Sequence, residues 1–440
     1  MPQKRKTSKK FIIRRICVFA VFALVIAGVI AGAASLVKKT NKNTKPSDSS
    51  ASQISEPEEP YVVSTAKIGS SGDILIHTPL LSNAKQSDGS YNFDNIFEYI
   101  TPYYNKYDFM VMNLEVTFGD ATAGKYDGFP LFNTPASLTD SLKKAGVDML
   151  LTANNHTYDT GYNGMLNTVR VLKEKNMAYI GTRENTDEPL YKIQDVNGIK
   201  IATAVYTYST TPEAGRKALN GAKIRKEAND LVATFDYNKL DEFYAEAKAA
   251  LDDMKSKGAQ ASIIYVHWGN EYQRTPTSDQ KEMAQKLCDM GWDVIVGGHP
   301  HVIQPFETLT GENGNTSVCI YSMGNAVSNQ RKEIMDSDNY SGHTEDGMIF
   351  EVEFEKWSTG EVKLKDVNIL PTWVNYTSVG SRRVYRIVAL DTNVSDWSTL
   401  GINRLADAKA SYNRTMKLVG SGLNAYRTAH GLSEVPLTVD

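Results

Sequence analysis

The sequence predicts an α/β protein of layered sheets covered by helices, behind one N-terminal transmembrane helix. Three observations predict it. After Tyr61, short apolar runs of strand character alternate with amphipathic helical stretches. From Ser317 onward the strand-like runs crowd together with few helices between them. Between Ile16 and Val37 lie 22 residues without a charge, a helix of ~33 Å that is long enough for the hydrocarbon core of a bilayer.

The uncharged run comes first. Seven basic residues precede it (Lys4, Arg5, Lys6, Lys9, Lys10, Arg14, Arg15) and four follow it (Lys38, Lys39, Lys42, Lys45). The heavier positive side stays in the cytoplasm, so the C-terminal domain is expected outside the cell, held by a single pass through the cell membrane. A cleaved signal peptide is the competing reading, because Ala31-Gly32-Ala33 is a small-residue cleavage site. The length of the run favours an uncleaved anchor. Residues 38–60 are polar and rich in Ser and Pro, too poor in apolar side chains to fold, and read as a disordered linker. The expected layout is a basic tail over 1–15, a signal anchor over 16–37, the linker over 38–60, a folded domain over 61–390 and a helical extension over 391–440.

Charge narrows the function. Residues 1–45 hold eleven Lys or Arg and no acid, so the whole-chain charge of −3 leaves −14 on the other 395 residues. Basic charge confined to a membrane-flanking arm excludes a nucleic-acid partner, which needs it on the folded body; the expected partner is the membrane. Cysteine is sparse, with Cys17 in the apolar run and Cys288 and Cys319 in the body. A disulfide between the last two is chemically allowed, and two buried free thiols is the reading preferred here.

Along the body, Ala66–Ile76 reads as a strand, Phe93–Tyr104 as a helix and Asp108–Val116 as a strand. Pro135–Ala145 is helical, with Pro in its first turn and Gly146 at its end. Val147–Thr152 is a strand and Tyr162–Lys175 a helix, and Asn197-Gly198 marks a hairpin within Tyr191–Tyr206. Leu240–Lys257 and Ser278–Met290 are helices, Ser262–His267 and Val294–Gly297 strands. A last helical stretch lies around Arg404–Leu418.

The chain has seven histidines, and five fall in short segments after expected strands: GDILIH (72–77), TANNHTYDTG (152–161), VHWGNEY (266–272) and GGHPH (297–301). MNLE (112–115) adds a carboxylate in the same context. Taken singly, each has a plain explanation as a turn, a cap or a hydrogen-bonded core residue. Jointly, Asp73, Glu115, Asn155-His156, His267 and His299-Pro300-His301 supply the oxygen and imidazole donors of a divalent-metal site, at strand ends that converge on one crevice. The spacing of His299 and His301 puts both rings on one face if the segment is extended. Trp268 and Tyr272 could line a groove or belong to the core, and Arg183 and Arg274 could meet an anionic substrate.

These ordered blocks, with Ser322-Met323-Gly324-Asn325 as the last, resemble those of the bacterial poly-gamma-glutamate capsule-synthesis (CapA-type) family from about Ala66 to Val327. That family is similar to calcineurin-like metallophosphoesterases. The resemblance implies a four-layer αββα sandwich holding two divalent ions (Mn, Zn or Fe). It implies Asp73, Glu115, Asn155, His267, His299 and His301 as ligands and His156 as the group that protonates or orients a substrate oxygen. In that frame Asp159 orients His156, Glu271 supports the ring of His267, and Asn325 is structural or positions substrate. It also implies poly-gamma-glutamate and membrane-bound synthase components as partners. The chain departs from the metallophosphoesterase pattern twice. The first His follows Asp73 by four residues, at His77, which puts His77 beside the ligands or outside the site. Glu115 stands where those enzymes carry a bridging Asp, which leaves the number of ions open. Three readings follow: a subunit of capsule-polymer synthesis, an extracellular metal-dependent hydrolase of phosphoester or cell-wall material, or a non-catalytic polymer-binding scaffold.

Overall fold

In a computed structural model, the described residues are 59–210, 216–335, 341–380, 382–398 and 401–440. The expected basic tail, membrane span and nearly all of the linker lie outside them. Among the described residues no helix is long and apolar enough to cross a membrane.

The strands in chain order are β1 (Val62–Ile74), β2 (Phe109–Leu114), β3 (Met149–Leu151), β4 (Ala178–Ile180), β5 (Tyr191–Val196), β6 (Ile199–Tyr208), β7 (Ala218–Leu219), β8 (Ala222–Lys223) and β9 (Thr234–Phe235). They continue with β10 (Ala261–His267), β11 (Val294–Gly298), β12 (Phe306–Thr310), β13 (Thr316–Ile320), β14 (Asn325–Val327), β15 (Asp346–Trp357), β16 (Val362–Val379) and β17 (Arg382–Ala389). The described helices are α1 (Thr78–Ala84), α2 (Asp94–Phe97), α3 (Thr101–Tyr104), α4 (Ser137–Lys144), α5 (Gly161–Glu174), α6 (Leu240–Ser256), α7 (Ser278–Met290) and α8 (Leu405–Ala429).

Two sheets lie face to face. The first runs β17-β16-β15-β1-β2-β3-β4, with β14 paired to β1; the second runs β12-β13-β11-β10-β6-β5, with β9 paired to β6. In each, the strands that carry the histidine and carboxylate blocks are parallel: β1 with β2, β2 with β3, and β10 with β11. Such strands are covered on both faces, which is why β10 reads as an unbroken apolar run, Ala-Ser-Ile-Ile-Tyr-Val-His, buried throughout. Ile68, Val111 and Met149 of the first sheet meet Val205, Ile263, Tyr265 and Val296 of the second in one core. A buried hydrogen bond of 2.8 Å between the hydroxyls of Ser70 and Tyr265 crosses the interface. Leu80, Ile96, Leu138 and Leu142 of α1, α2 and α4 cover the outer face of the first sheet; α6 and α7 cover the second.

Most elements fall where the sequence puts them, including the Asn197-Gly198 hairpin, whose two turn residues have φ of 54° and 81°. Three differ. The expected helix over Phe93–Tyr104 is two short helices, the second starting with Pro102 in its first turn, where proline's missing N–H costs nothing. The strand-like run VKLKDVNIL (362–370) continues as the 18-residue β16, straight through Pro371. That residue sits where pairing passes from β15 to β17, so the absent donor is tolerated. The last helix extends to Ala429 and belongs to the same unit, Pro60–Asp440, as the two sheets. Cys288 and Cys319 are buried free thiols, as expected.

Candidate metal centre

The strand ends of both sheets meet at one buried cluster. Asp73 is the last residue but one of β1, Glu115 follows β2, Asn155 and His156 follow β3, His267 ends β10, and His299 and His301 follow β11. Two close backbone approaches set this convergence. A Cβ on Gly72 would stand 1.8 Å from the Gly324 carbonyl oxygen, and one on Gly297 would stand 1.9 Å from that of Tyr321, so only glycine lets these strands close in.

All six expected ligands are buried. Ligand atoms of Asp73, Glu115 and His267 lie within 4.8 Å of one another, and so do those of Glu115, His299 and His301, so Glu115 belongs to both groups. Its Oε1 is 3.4 Å from His267 Nε2 and 3.9 Å from His301 Nε2. Two donors held about 2.0–2.1 Å from one ion at a tetrahedral angle stand roughly 3.4 Å apart. Asn155 Oδ1 meets His267 Nε2 at 2.7 Å, which places the amide oxygen at the same cluster.

The donor chemistry fits a cation. Glu115 Oε1 and His299 Nδ1 are buried without a hydrogen-bond partner, and such orphans carry a cost unless something else satisfies them. His301 Nδ1 faces two acceptors, Asp73 Oδ2 at 3.2 Å and Asn325 Oδ1 at 3.1 Å, so it carries the proton and leaves Nε2 as a free lone pair toward Glu115. Burial, aided by the neighbouring imidazoles, holds His299 well below its ordinary range; burial takes His267 down to about 3 despite the charge of Asp73. Both rings are therefore neutral and able to ligate. Burial and then the charge of Asp73 push Glu115 well above the usual carboxylate range. Burial also opposes ionisation of Asp73, but the hydrogen bonds from His301 and Asn113 help to outweigh it and Asp73 lies below its ordinary value. Two carboxylates packed this way are stable as anions beside positive charge, which a divalent ion supplies.

The histidine pair converges by a route the spacing does not suggest. The segment is not extended: His299 and His301 have φ of 95° and 57°, and their ring centroids are 6.0 Å apart. This left-handed backbone is rare for residues with a Cβ.

The remaining expected residues separate into those at the cluster and those off it. His156 Nδ1 donates to Asp159 Oδ2 at 2.7 Å, and Asp159 also accepts the Phe132 backbone N–H, which fixes the carboxylate. Asn325 is buried beside Asp73 in the β1–β14 pairing and braces His301 through both its backbone carbonyl and its ring. His77 stands outside the ligand set, with the ring of Phe132 edge-on to both His77 and His156. Glu271 is exposed, and it acts on Glu115 through charge rather than on His267 through a hydrogen bond. Trp268 is fully buried core, and Arg183 ties together the carbonyls of Asp230, Thr186 and Glu188.

Three asparagines were not foreseen at the site. Asn113 Nδ2 bridges Asp73 and Glu115 at 2.7 and 3.2 Å, Asn154 Nδ2 holds Asn113 Oδ1 at 3.1 Å, and Asn220 reaches Asn155 and His156 from the β7–β8 hairpin. Asn113 and Asn154 sit inside the MNLE and TANNHTYDTG blocks, each close in sequence to a candidate ligand. Asn220-Gly221 carries a turn signal and nothing in sequence that ties it to the site.

Fold and cluster together define an α/β protein of two facing sheets with a buried candidate metal centre at its strand ends. Residues 67–330 match the family described as "Bacterial capsule synthesis protein PGA_cap", and the chain belongs to that family. It is 28% identical over 270 residues to the "Capsule biosynthesis protein CapA" of Bacillus anthracis, 59% of this chain and 59% of that protein. It is 28% identical over 308 residues to the "PGA biosynthesis protein CapA" of Bacillus subtilis (strain 168), 68% of this chain and 72% of that protein. Among solved structures it is similar to the NAD nucleotidase of Haemophilus influenzae, at 15% identity and a TM-score of 0.40, covering 81% of this chain and 57% of the other. It is also similar to the sulfate thiohydrolase SoxB of Thermus thermophilus, at 14% identity and a TM-score of 0.33, covering 70% and 42%.

Proposed function

We propose that this chain is a membrane-anchored, extracellular capsule-biosynthesis protein whose buried centre binds two divalent ions and acts hydrolytically on the capsule polymer or a precursor of it. The observation that carries the metal centre is Glu115, shared by both ligand groups and holding an unpartnered Oε1 between two imidazoles. The names of the two Bacillus relatives support the capsule role, with poly-gamma-glutamate as the proposed polymer and membrane-bound synthase components as proposed partners. The basic, uncharged and polar succession of residues 1–60 supports the anchor and the outward domain.

Bound divalent ions supply Lewis-acid polarisation of a phosphoryl or acyl oxygen and a hydroxide-like nucleophile near neutral pH. Asp73, Glu115, Asn155, His267, His299 and His301 would hold them in this metallophosphoesterase-like arrangement. His156 is kept in one tautomer by Asp159, Nδ1–H to carboxylate, so that Nε2 is the atom that gives or takes a proton at the leaving group. The body charge of −14 repels a polyanion, a repulsion that divalent ions held by these residues would offset locally.

Elemental analysis of the purified full-length protein beside a His299→Ala/His301→Ala variant tests the reading. One to two transition-metal ions per wild-type chain, lost in the variant, is the expected result. A wild-type chain that stays empty after incubation with Mn²⁺ and Zn²⁺ sinks the hydrolytic role and leaves a capsule scaffold.

A further inference from the structure

We infer that Asn220, at the tip of the β7–β8 hairpin, is a positioning residue that keeps the Asn155 amide turned oxygen-first toward the metal centre. The inference rests on the metal reading above and adds a residue from outside every block that pointed to it.

An amide ligates through oxygen only. Rotated by half a turn, Asn155 would offer an NH₂ group to the ions and lose them. Its orientation is set by the hydrogen bond from Asn155 Nδ2 to Asn220 Oδ1, 2.9 Å, on the side away from His267. The Asn220 amide also meets the His156 ring. Its Nδ2 lies 3.4 Å from Nδ1 and 3.5 Å from Nε2. Nδ1 donates its N–H to Asp159, which fixes the ring that the Asn220 amide meets. The contacts run from the Asp159 carboxylate through His156 and Asn220 to Asn155, and the bond to Asn220 Oδ1 is the one that turns the Asn155 amide.

The hairpin is built for this reach. Asn220 and Gly221 carry φ of 46° and 74°, the left-handed pair of a tight two-residue turn, which asparagine tolerates better than most residues. Asn220, Gly221, Ala222 and Lys223 are all exposed, yet the Asn220 side chain touches two buried residues of the cluster. The hairpin also lies in the connection from β6 to β9 of the second sheet, while Asn155 and His156 follow β3 of the first. Asn220 therefore ties one sheet's loop to the other sheet's ligand.

The test is calorimetric titration of Mn²⁺ into chelator-stripped full-length protein, comparing wild type with Asn220→Gly and Asn220→Asp. Glycine removes the side chain and keeps the positive φ; aspartate keeps an acceptor for Asn155 Nδ2. Losing a group that orients a ligand weakens metal binding by about 10- to 100-fold. The expected result is that loss in Asn220→Gly, for the ion that Asn155 serves, and affinity within about 3-fold of wild type in Asn220→Asp. Wild-type affinity in Asn220→Gly, or equal weakening in both variants, overturns the inference while leaving the metal centre standing. A wild type that binds no Mn²⁺ overturns both.

Discussion

His77 shows what burial does to a single group. It is one of the two titratable rings that pack edge-on against Phe132, and burial brings it down to about 4 from an ordinary 6.5. The folded protein thus takes up its proton later than the unfolded chain as pH falls. Stability from His77 is complete above about pH 6.5 and is lost as pH drops toward 4, the direction expected for a depressed folded pKa. Between pH 7 and pH 5 the loss is about 2 kcal/mol. Urea unfolding of chelated wild type should therefore weaken by about 2 kcal/mol more over that interval than a His77→Gln variant. Equal losses would mean that the ring is already solvated. The same residue marks a limit of legibility. Its block, Gly72 to His77, pointed correctly to Asp73, but nothing in the spacing said that Phe132 would stand between His77 and His156. The ligand-bearing residues were readable because carboxylates and imidazoles after strands are rare and chemically specific. Asn113, Asn154 and Asn220 were not, since asparagine is an ordinary turn residue until a structure shows what its amide faces.

At the scale of elements, α8 carries the largest discrepancy from expectation. The sequence pattern supports a helix ending near Leu418, with no visible role. In the structure Tyr412, Met416, Val419, Leu423 and Tyr426 form a buried stripe along a 25-residue helix that packs on β16 of the first sheet and on β12 at the edge of the second. The stripe has helical spacing throughout; what hid it is the run of small and polar residues from Gly420 to Asn424, broken only by Leu423, which weakens the local apolar signal. Gly420 and Gly422 are there because the helix passes close to Leu437 and to the Phe306 carbonyl. Burial of each large apolar side chain is worth about 1.5–3 kcal/mol, so five of them rival the total stability of a typical domain. A chain truncated after residue 404 should be insoluble or unfolded, and Leu423→Ala should cost about 2–5 kcal/mol in urea unfolding. A truncated chain that elutes as a monomer and unfolds cooperatively would show that the helix is an appendage. The inner strands were legible from their unbroken apolar runs. Their assignment to two separate sheets was not, because it depends on which long connections cross and which turn back.

The whole molecule places one half of the candidate ligand set on each sheet. Asp73, Glu115 and Asn155 come from the first, and His267, His299 and His301 from the second. A cation bound among them joins the sheets at the strand ends, where the side-chain core between them gives way to buried polar groups. An ion that binds only the folded state stabilises it by mass action, about 2.7 kcal/mol at one hundred times its dissociation constant. For a folded unit of this size that corresponds to a rise in Tm of roughly 3–6 °C. The rise should be full in wild type with Mn²⁺ and smaller in the His299→Ala/His301→Ala variant, which lacks the second sheet's paired donors. Scanning calorimetry separates this from incidental binding. An ion held by ligands of the first sheet alone would be retained by the variant and would still raise its midpoint in full. The histidine-pair variant removes one ligand group, whereas Glu115 belongs to both, so a Glu115→Gln variant should lose at least as much of the shift as the histidine pair does. If Glu115→Gln keeps most of the rise, the carboxylate is not the bridge between the two ligand groups, and the two-ion arrangement falls with it.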